Sequence, residues 1–126
     1  MSTHSRGRVL IVDDNVDIRL STQKLLEQLG YEVETAADGA AALRAHRARG
    51  FSAVITDLFM AGIEGMETIA AFKREWPEVR VIAMSGGGER ARMDYLEAAA
   101  HVGADATLQK PFSFKALLVA LGHGAA

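Results

Sequence analysis

Acidic side chains follow two apolar segments of the sequence at the point where each segment ends. Asp13 and Asp14 come directly after the apolar run at residues 9–12, and Asp57 comes after the run at 53–56. If these runs are neighbouring parallel strands, the three carboxylates converge on one edge of a sheet. Like charges that close require either protonation or a bound divalent cation. We favour the cation.

A hydroxyl and an ammonium group follow two further strand-like segments in the same way. Ser85 comes after the run at 79–84, and Lys110 comes after the run at 106–109. A carboxylate can attack phosphorus when the charge on the transferring oxygens is neutralised. A metal ion, an ammonium and a hydroxyl can provide that neutralisation. These residue types therefore indicate phosphoryl chemistry.

Magnesium would use the oxygen atoms at this edge, because it binds oxygen ligands and keeps several of its waters. Asp14, Asp57 and the backbone carbonyl of Phe59 would be its ligands. Taken singly, each residue has a plainer role: Asp14 can cap a helix, Asp57 can end a strand, Ser85 can form a turn and Lys110 can be a solvated charge. Only their convergence favours a site.

The apolar pattern alternates between strand-like and helix-like segments along the chain. It predicts strands at 8–12, 31–36, 53–57, 79–84 and 106–109. It predicts helices that begin at Asp14 or Asn15, at 40, at about 66, at 89 and after Ser113. Five strands alternating with five helices predict a doubly wound α/β sandwich, flavodoxin-like (βα)5, with a five-stranded parallel sheet of order 2-1-3-4-5. In that order strands one and three are adjacent, which brings the acids together.

Composition excludes several classes of partner. The chain has 126 residues, a net charge of −2, no Cys and 49% hydrophobic residues. We therefore expect one domain at 8–122, a disordered leader at 1–7 and a frayed tail at 123–126. We expect no direct binding to nucleic acid, no membrane insertion, and a location in the cytoplasm. The four His residues lack metal-site spacing, so we expect them to be solvated or packed: His4, His46, His101 and His123.

Several motifs together resemble the receiver domain of response regulators, the phosphorylatable part of two-component signalling. The chain is similar to chemotaxis regulators, and the resemblance covers nearly the whole chain, from residue 8 to 121. The matching motifs are Val12-Asp13-Asp14-Asn15, Asp57-Leu58-Phe59-Met60, Gly65, Ser85 and Lys110-Pro111-Phe112.

This resemblance implies a role for each residue. Asp57 is expected to be the phosphoacceptor, Asp14 a direct ligand of Mg²⁺ (or Mn²⁺) and Asp13 its support. Ser85 is expected to be the switch hydroxyl and Lys110 the phosphate partner. The phosphodonor is expected to be a sensor histidine kinase or a histidine phosphotransfer protein. The protein is then expected not to be an enzyme. It would be a signalling phosphoacceptor that assists its own phosphoryl transfer and dephosphorylation.

The resemblance also implies an output face, formed by the fourth helix, the last strand and the fifth helix. The partner expected at this face is a downstream protein or, in a homodimer, a second copy of the chain. Thr107 replaces the usual aromatic of that face, which argues against readout by a rotating ring. The triple glycine at 86–88 leads us to expect motion in the fourth helix. Phe59 and Gly87 have no polar side chain to orient water, so we expect slow self-dephosphorylation.

Two alternatives come from other functional classes, and a third is a receiver that is not phosphorylated. A phosphohydrolase would need a positioned acid or base and a capped substrate pocket. A flavin module would need a phosphate-binding loop of Ser, Thr and Gly after the first strand, where Asp13 and Asp14 stand. A degenerate receiver would act as a docking module without phosphorylation, although every residue needed for phosphorylation is present.

Overall fold

Parallel strands alternate with helices along the chain. The computed structural model describes residues 7–58, 64–85, 97–110 and 112–122. The elements are β1 (Arg8–Val12), α1 (Val16–Gln28), β2 (Glu32–Ala36), α2 (Gly39–Ala48), β3 (Ala53–Asp57), α3 (Glu64–Glu75), β4 (Arg80–Ser85), α4 (the helical residues 97–101), β5 (Ala106–Gln109) and α5 (Phe114–Ala120). The strands form one parallel sheet in the order β2-β1-β3-β4-β5. The predicted flavodoxin-like fold is confirmed.

Each face of the sheet has its own apolar core, because side chains along a strand alternate between the two faces. Leu10 and Val12 of β1 pack into one cluster with residues of α2 and α3. Val9 and Ile11 pack into the other cluster with residues of α1 and α5. All four side chains are fully buried. The continuous apolar run is thus a strand covered on both faces.

Both ends of α1 are closed by side-chain and backbone hydrogen bonds. Asn15, rather than Asp14, is the N-cap, because its side-chain oxygen accepts a hydrogen bond from the Ile18 N–H. At the other end Gly30 has a φ of 98°, and the Tyr31 N–H donates to the Leu26 carbonyl at 3.1 Å. Tyr31 therefore belongs to the helix end, and β2 begins one residue later than the predicted 31.

Other predicted boundaries shift by one or two residues for similar reasons. The Val79 N–H donates to the Trp76 carbonyl in a turn, so β4 begins at Arg80 and extends to Ser85, which pairs with Gln109. Ser113 caps α5 as predicted. In this segment Leu117 and Leu121 are buried, and Leu118 is half-buried.

Some expectations fall outside the described residues: the loop at 86–88, the first part of the fourth helix, the Phe59 carbonyl, residues 1–6 of the leader, and the tail. Within the described part of the chain, no helix has the length and apolar character needed to span a membrane.

Candidate functional site

The register between β1 and β3 places two acids side by side. Val12 is paired with Thr56, so Asp13 and Asp57 are the next positions on adjacent parallel strands. Carboxylate oxygens from Asp13, Asp14 and Asp57 all lie within 4.8 Å of one another. The predicted convergence of the three carboxylates is therefore present in the folded chain.

Asp13 is fully buried, and all of its polar groups have partners. Its N–H donates to the Ala36 carbonyl at 3.1 Å, which ties it to the neighbouring β2. Its Oδ1 accepts from the Asn15 N–H at 2.9 Å, and its Oδ2 accepts from the Lys110 Nζ at 3.1 Å. Its carbonyl oxygen accepts from the Arg19 Nη1 at 2.8 Å. Asp13 is thus a rigid part of the sheet edge.

Asp14 and Asp57 have different surroundings. Asp57 is buried at the end of β3, with 6% of its surface exposed, and its Oδ2 lies 3.4 Å from the Lys110 Nζ. Asp14 is exposed, and it accepts no hydrogen bond from any described residue. The plainer role of Asp14 as a helix cap is wrong, because Asn15 performs it. The Asp14 carboxylate is available for a ligand.

Lys110 supplies the positive charge at this edge. Its Nζ contacts both buried carboxylates, and its side chain is only 18% exposed. The interpretation of Lys110 as a solvated surface charge is therefore wrong. Burying an ion costs free energy unless it is paired, so this ammonium stabilises Asp13 and Asp57 together.

Ser85 ends β4 beside the acids. Asp57 is paired with Met84, so Ser85 lies one position further along the neighbouring strand. Ser85 is fully buried, and its Oγ has no hydrogen-bond partner within the described part of the chain. An unsatisfied buried hydroxyl costs about 1–3 kcal/mol. Such a group is suited to a ligand oxygen that reaches this edge.

The residues present fit a divalent metal ion. Three carboxylates and one ammonium leave a net charge of −2 at a largely buried edge. Oxygen ligands of this type suit Mg²⁺ or Mn²⁺. The acidic cluster can therefore hold a metal ion, whose positive charge would oppose the formal charge of −2.

Gly65 makes the close approach of α3 to this edge possible. A Cβ at this position would lie 2.6 Å from the Asp57 carbonyl oxygen and 2.7 Å from the Leu58 Cα. Both atoms belong to the backbone, so no side-chain rotation could relieve the contact. The family motif includes this glycine, but its steric role became clear only from the structure.

Arg19 is a neighbour of the site that the sequence did not indicate. It lies four residues after the N-cap of α1, and its guanidinium reaches back to the Asp13 carbonyl. The available signal was a basic residue in the first turns of the helix that follows the acid pair. Such residues are usually solvated.

Comparison with known proteins identifies the family of this chain. A sequence model described as the response regulator receiver domain matches residues 9–122. The chain belongs to this family of receiver domains. Receiver domains are signalling domains of two-component systems. The match confirms the resemblance that the motifs indicated.

Two kinds of relative support the assignment of this receiver domain. Transcriptional regulatory protein PrrA of Mycobacterium tuberculosis is 36% identical over 105 residues, which cover 83% of this chain and 44% of PrrA. The chain thus spans less than half the length of this curated relative. The receiver domain of NtrX from Brucella abortus has a TM-score of 0.81 and 33% identity, and the match covers 90% of this chain and 94% of that structure. Chemotaxis protein CheY4 of Vibrio cholerae has a TM-score of 0.79 and 32% identity, with coverage of 90% and 94%.

Proposed function

We propose that this receiver domain accepts a phosphoryl group on Asp57 from a phosphohistidine donor, with Mg²⁺ (or Mn²⁺) as cofactor. One observation supports the proposal most strongly. Lys110 bridges the buried carboxylates of Asp13 and Asp57, and an oxygen of the exposed Asp14 lies within 4.8 Å of both. The site thus combines a buried acceptor, a cation for the phosphoryl group and an exposed metal ligand.

In the transfer, a carboxylate oxygen of Asp57 attacks phosphorus and forms an O–P bond. The N–P bond to the donor histidine breaks, and its electron pair stays on the imidazole. Lys110 can pair with a transferring oxygen, because its ammonium already lies 3.4 Å from the Asp57 Oδ2. A bound metal ion would neutralise the remaining phosphoryl charge. Asp14 and Asp57 would hold that ion directly, with Asp13 in support and the Phe59 carbonyl as a further ligand.

Ser85 would couple the phosphoryl group to the rest of the domain. A phosphoryl oxygen offers the buried Ser85 hydroxyl the acceptor that it lacks among the described residues. The Ser85 carbonyl also accepts from the Lys110 N–H at 2.8 Å. A displacement of Ser85 would therefore pull on the end of β5, which leads into α5.

The face formed by α4, β5 and α5 is our proposed output surface. Phe114 and Val119 of α5 are 45% and 46% exposed. A surface groove of about 830 Å³ is lined by residues of β5 and α5, together with Arg80, Phe112 and Ser113. Thr107 is exposed in this groove. Because Thr107 is small, the readout would be a change in backbone position rather than the rotation of a large ring.

The proposed partners follow from this chemistry. A sensor histidine kinase or a histidine phosphotransfer protein would donate the phosphoryl group, and a downstream protein or a second copy of the chain would bind the output surface. We place this exchange in the cytoplasm. Residues Phe59 and Gly87 offer no polar side chain to orient water, so we propose that the aspartyl phosphate hydrolyses slowly.

Incubation with a small acyl phosphate and Mg²⁺, followed by intact mass measurement, tests the proposed function. We expect one added phosphoryl group on the wild type and none on Asp57→Asn. Chelation of the metal should abolish labelling of the wild type. Equal labelling of both proteins would contradict the assignment of Asp57. Continuous turnover would instead favour a phosphohydrolase, and absence of labelling in metal-binding protein would favour a docking module.

A further inference from the structure

Arg19 contacts the acidic cluster through the backbone and not through a carboxylate. Its Nη1 donates to the Asp13 carbonyl oxygen at 2.8 Å, and the side chain is half-buried. This carbonyl belongs to the peptide group that joins Asp13 to Asp14. A peptide group is planar, so the position of its oxygen also sets the direction of the Asp14 N–H and Cα.

The turn around Asp14 is held on both sides. Before it, the Asp13 N–H is bonded to the Ala36 carbonyl. After it, the Asn15 N–H donates to the Asp13 Oδ1, and the Arg19 N–H donates to the Asn15 carbonyl at 3.1 Å. Asp14 itself has no hydrogen bond to any described residue, so its place depends on these neighbours.

We propose that Arg19 is a positioning residue for the metal site. It holds the Asp13–Asp14 peptide so that the Asp14 carboxylate faces the cation that Asp57 also binds. This inference rests on the proposed function, because it assumes that Asp14 is a metal ligand.

Electrostatic repulsion alone predicts the opposite effect of Arg19 on Mg²⁺ affinity. The direction in which the affinity changes when Arg19 is removed therefore distinguishes the two explanations. The Arg19 guanidinium is always positive and would repel a divalent cation nearby. If charge alone mattered, removal of Arg19 would tighten Mg²⁺ binding. If positioning dominates, removal weakens binding, because the free peptide samples orientations in which Asp14 faces away.

Calorimetric titration of the whole chain with MgCl₂, without any phosphodonor, distinguishes the two effects. We expect Arg19→Ala to bind Mg²⁺ about three- to tenfold more weakly, the equivalent of one ordinary hydrogen bond. Arg19→Lys should recover part of the loss, since its ammonium can also donate to the carbonyl. Lys24→Ala is the matched control: Lys24 is exposed on the same helix, and its loss should not weaken binding.

A second measurement does not depend on metal. Amide hydrogen exchange by NMR should show faster exchange of the Asn15 N–H in metal-free Arg19→Ala than in Lys24→Ala, because the turn is no longer held. At saturating Mg²⁺, labelling of Asp57 in Arg19→Ala should return to the wild-type rate. If Arg19→Ala fails to fold, Arg19→Met, which keeps the length of the side chain but has no donor, replaces it in each comparison.

Binding of Mg²⁺ by Arg19→Ala that is equal to or tighter than that of the wild type would overturn the inference. Unchanged exchange of the Asn15 N–H would also overturn it. Failure of the wild type to bind Mg²⁺ would contradict the proposed function, and the exchange experiment would then still show whether Arg19 holds the turn.

Discussion

Lys110 is the residue on which the charge balance of the site depends. Its ammonium contacts the Asp13 and Asp57 carboxylates, which are otherwise buried like charges on adjacent strands. Removal of the ammonium leaves both carboxylates without this counter-charge in the metal-free protein. A divalent cation could then take over part of that role.

We therefore predict that Lys110→Met lowers the free energy of unfolding by about 1–3 kcal/mol without metal. The same variant should bind Mg²⁺ more tightly than the wild type, because one positive charge is gone. Urea unfolding with and without MgCl₂ measures both effects. Lys24→Met, which removes an exposed charge, should behave like the wild type. A stability loss that Mg²⁺ does not reduce would contradict this account.

His46 shows a different effect of burial at the residue scale. Its ring packs 4.3 Å from Trp76 and 5.4 Å from Phe72, between centroids, and its Nδ1 accepts from the Phe51 N–H at 3.2 Å. Of the two expected environments, solvated or packed, the structure shows the packed one for His46. Desolvation by burial lowers the pKa of His46 from its usual 6.5, although the negative charge of Glu78 opposes this shift.

The lowered pKa predicts a loss of stability in mild acid. The unfolded chain takes up the proton near pH 6.5 and the folded protein only at lower pH. The contribution of neutral His46 is therefore complete above pH 6.5 and is lost as the pH falls through the folded-state pKa. Between about pH 7 and pH 5, the free energy of unfolding measured with urea should fall less steeply with decreasing pH for His46→Gln than for the wild type. Identical slopes would contradict the prediction.

At the scale of elements, the contact between α3 and the end of β3 sets the shape of the site. Gly65 lies against the Asp57 carbonyl and the Leu58 backbone. The sheet supplies the acids, but α3 closes over the strand end only because this position has no Cβ.

We predict that Gly65→Ala lowers the free energy of unfolding by about 1–3 kcal/mol through overpacking. It should also slow labelling of Asp57 by acyl phosphate, because the strand end must shift. Gly50→Ala is the matched control, since a Cβ there would meet His46 at an ordinary 3.7 Å. Its stability should change by less than about 1 kcal/mol. Equal effects of the two substitutions in thermal unfolding would disprove the steric argument.

At the scale of the whole molecule, the two apolar cores support one charged edge. The cores on the two faces of the sheet share β1, whose last buried residue is followed by Asp13. Metal binding at that edge should therefore stabilise the whole cooperative unit.

We predict that Mg²⁺ raises the melting temperature of the wild type. The free energy of unfolding should rise by about 2.7 kcal/mol when the free Mg²⁺ concentration is about a hundred times its Kd. Asp14→Asn should lose this response yet keep the metal-free stability of the wild type or exceed it, because Asp14 contacts no described partner and its charge is repelled by its neighbours. Differential scanning calorimetry with and without MgCl₂ measures this. A full Mg²⁺ response in Asp14→Asn would remove Asp14 from the metal site.

Much of the fold was predictable from local pattern. The five strands lie within one residue of the predicted bounds. Boundaries failed where backbone hydrogen bonds decided them, as at Tyr31 and Val79. Periodicity identifies the buried face of an element, but the pairing of terminal N–H groups depends on turns that the periodicity does not describe.

The sequence by itself determined the order of strands and helices and the residue type at each strand end, because periodicity and chain order are local properties. Only the tertiary structure decided which groups meet. Lys110 reaches acids that are 97 and 53 residues away in the chain, and Arg19 reaches the Asp13 carbonyl. The Ser85 hydroxyl is buried without a hydrogen-bond partner among the described residues. These contacts depend on strand register and side-chain packing, which become defined only when the whole sheet has formed.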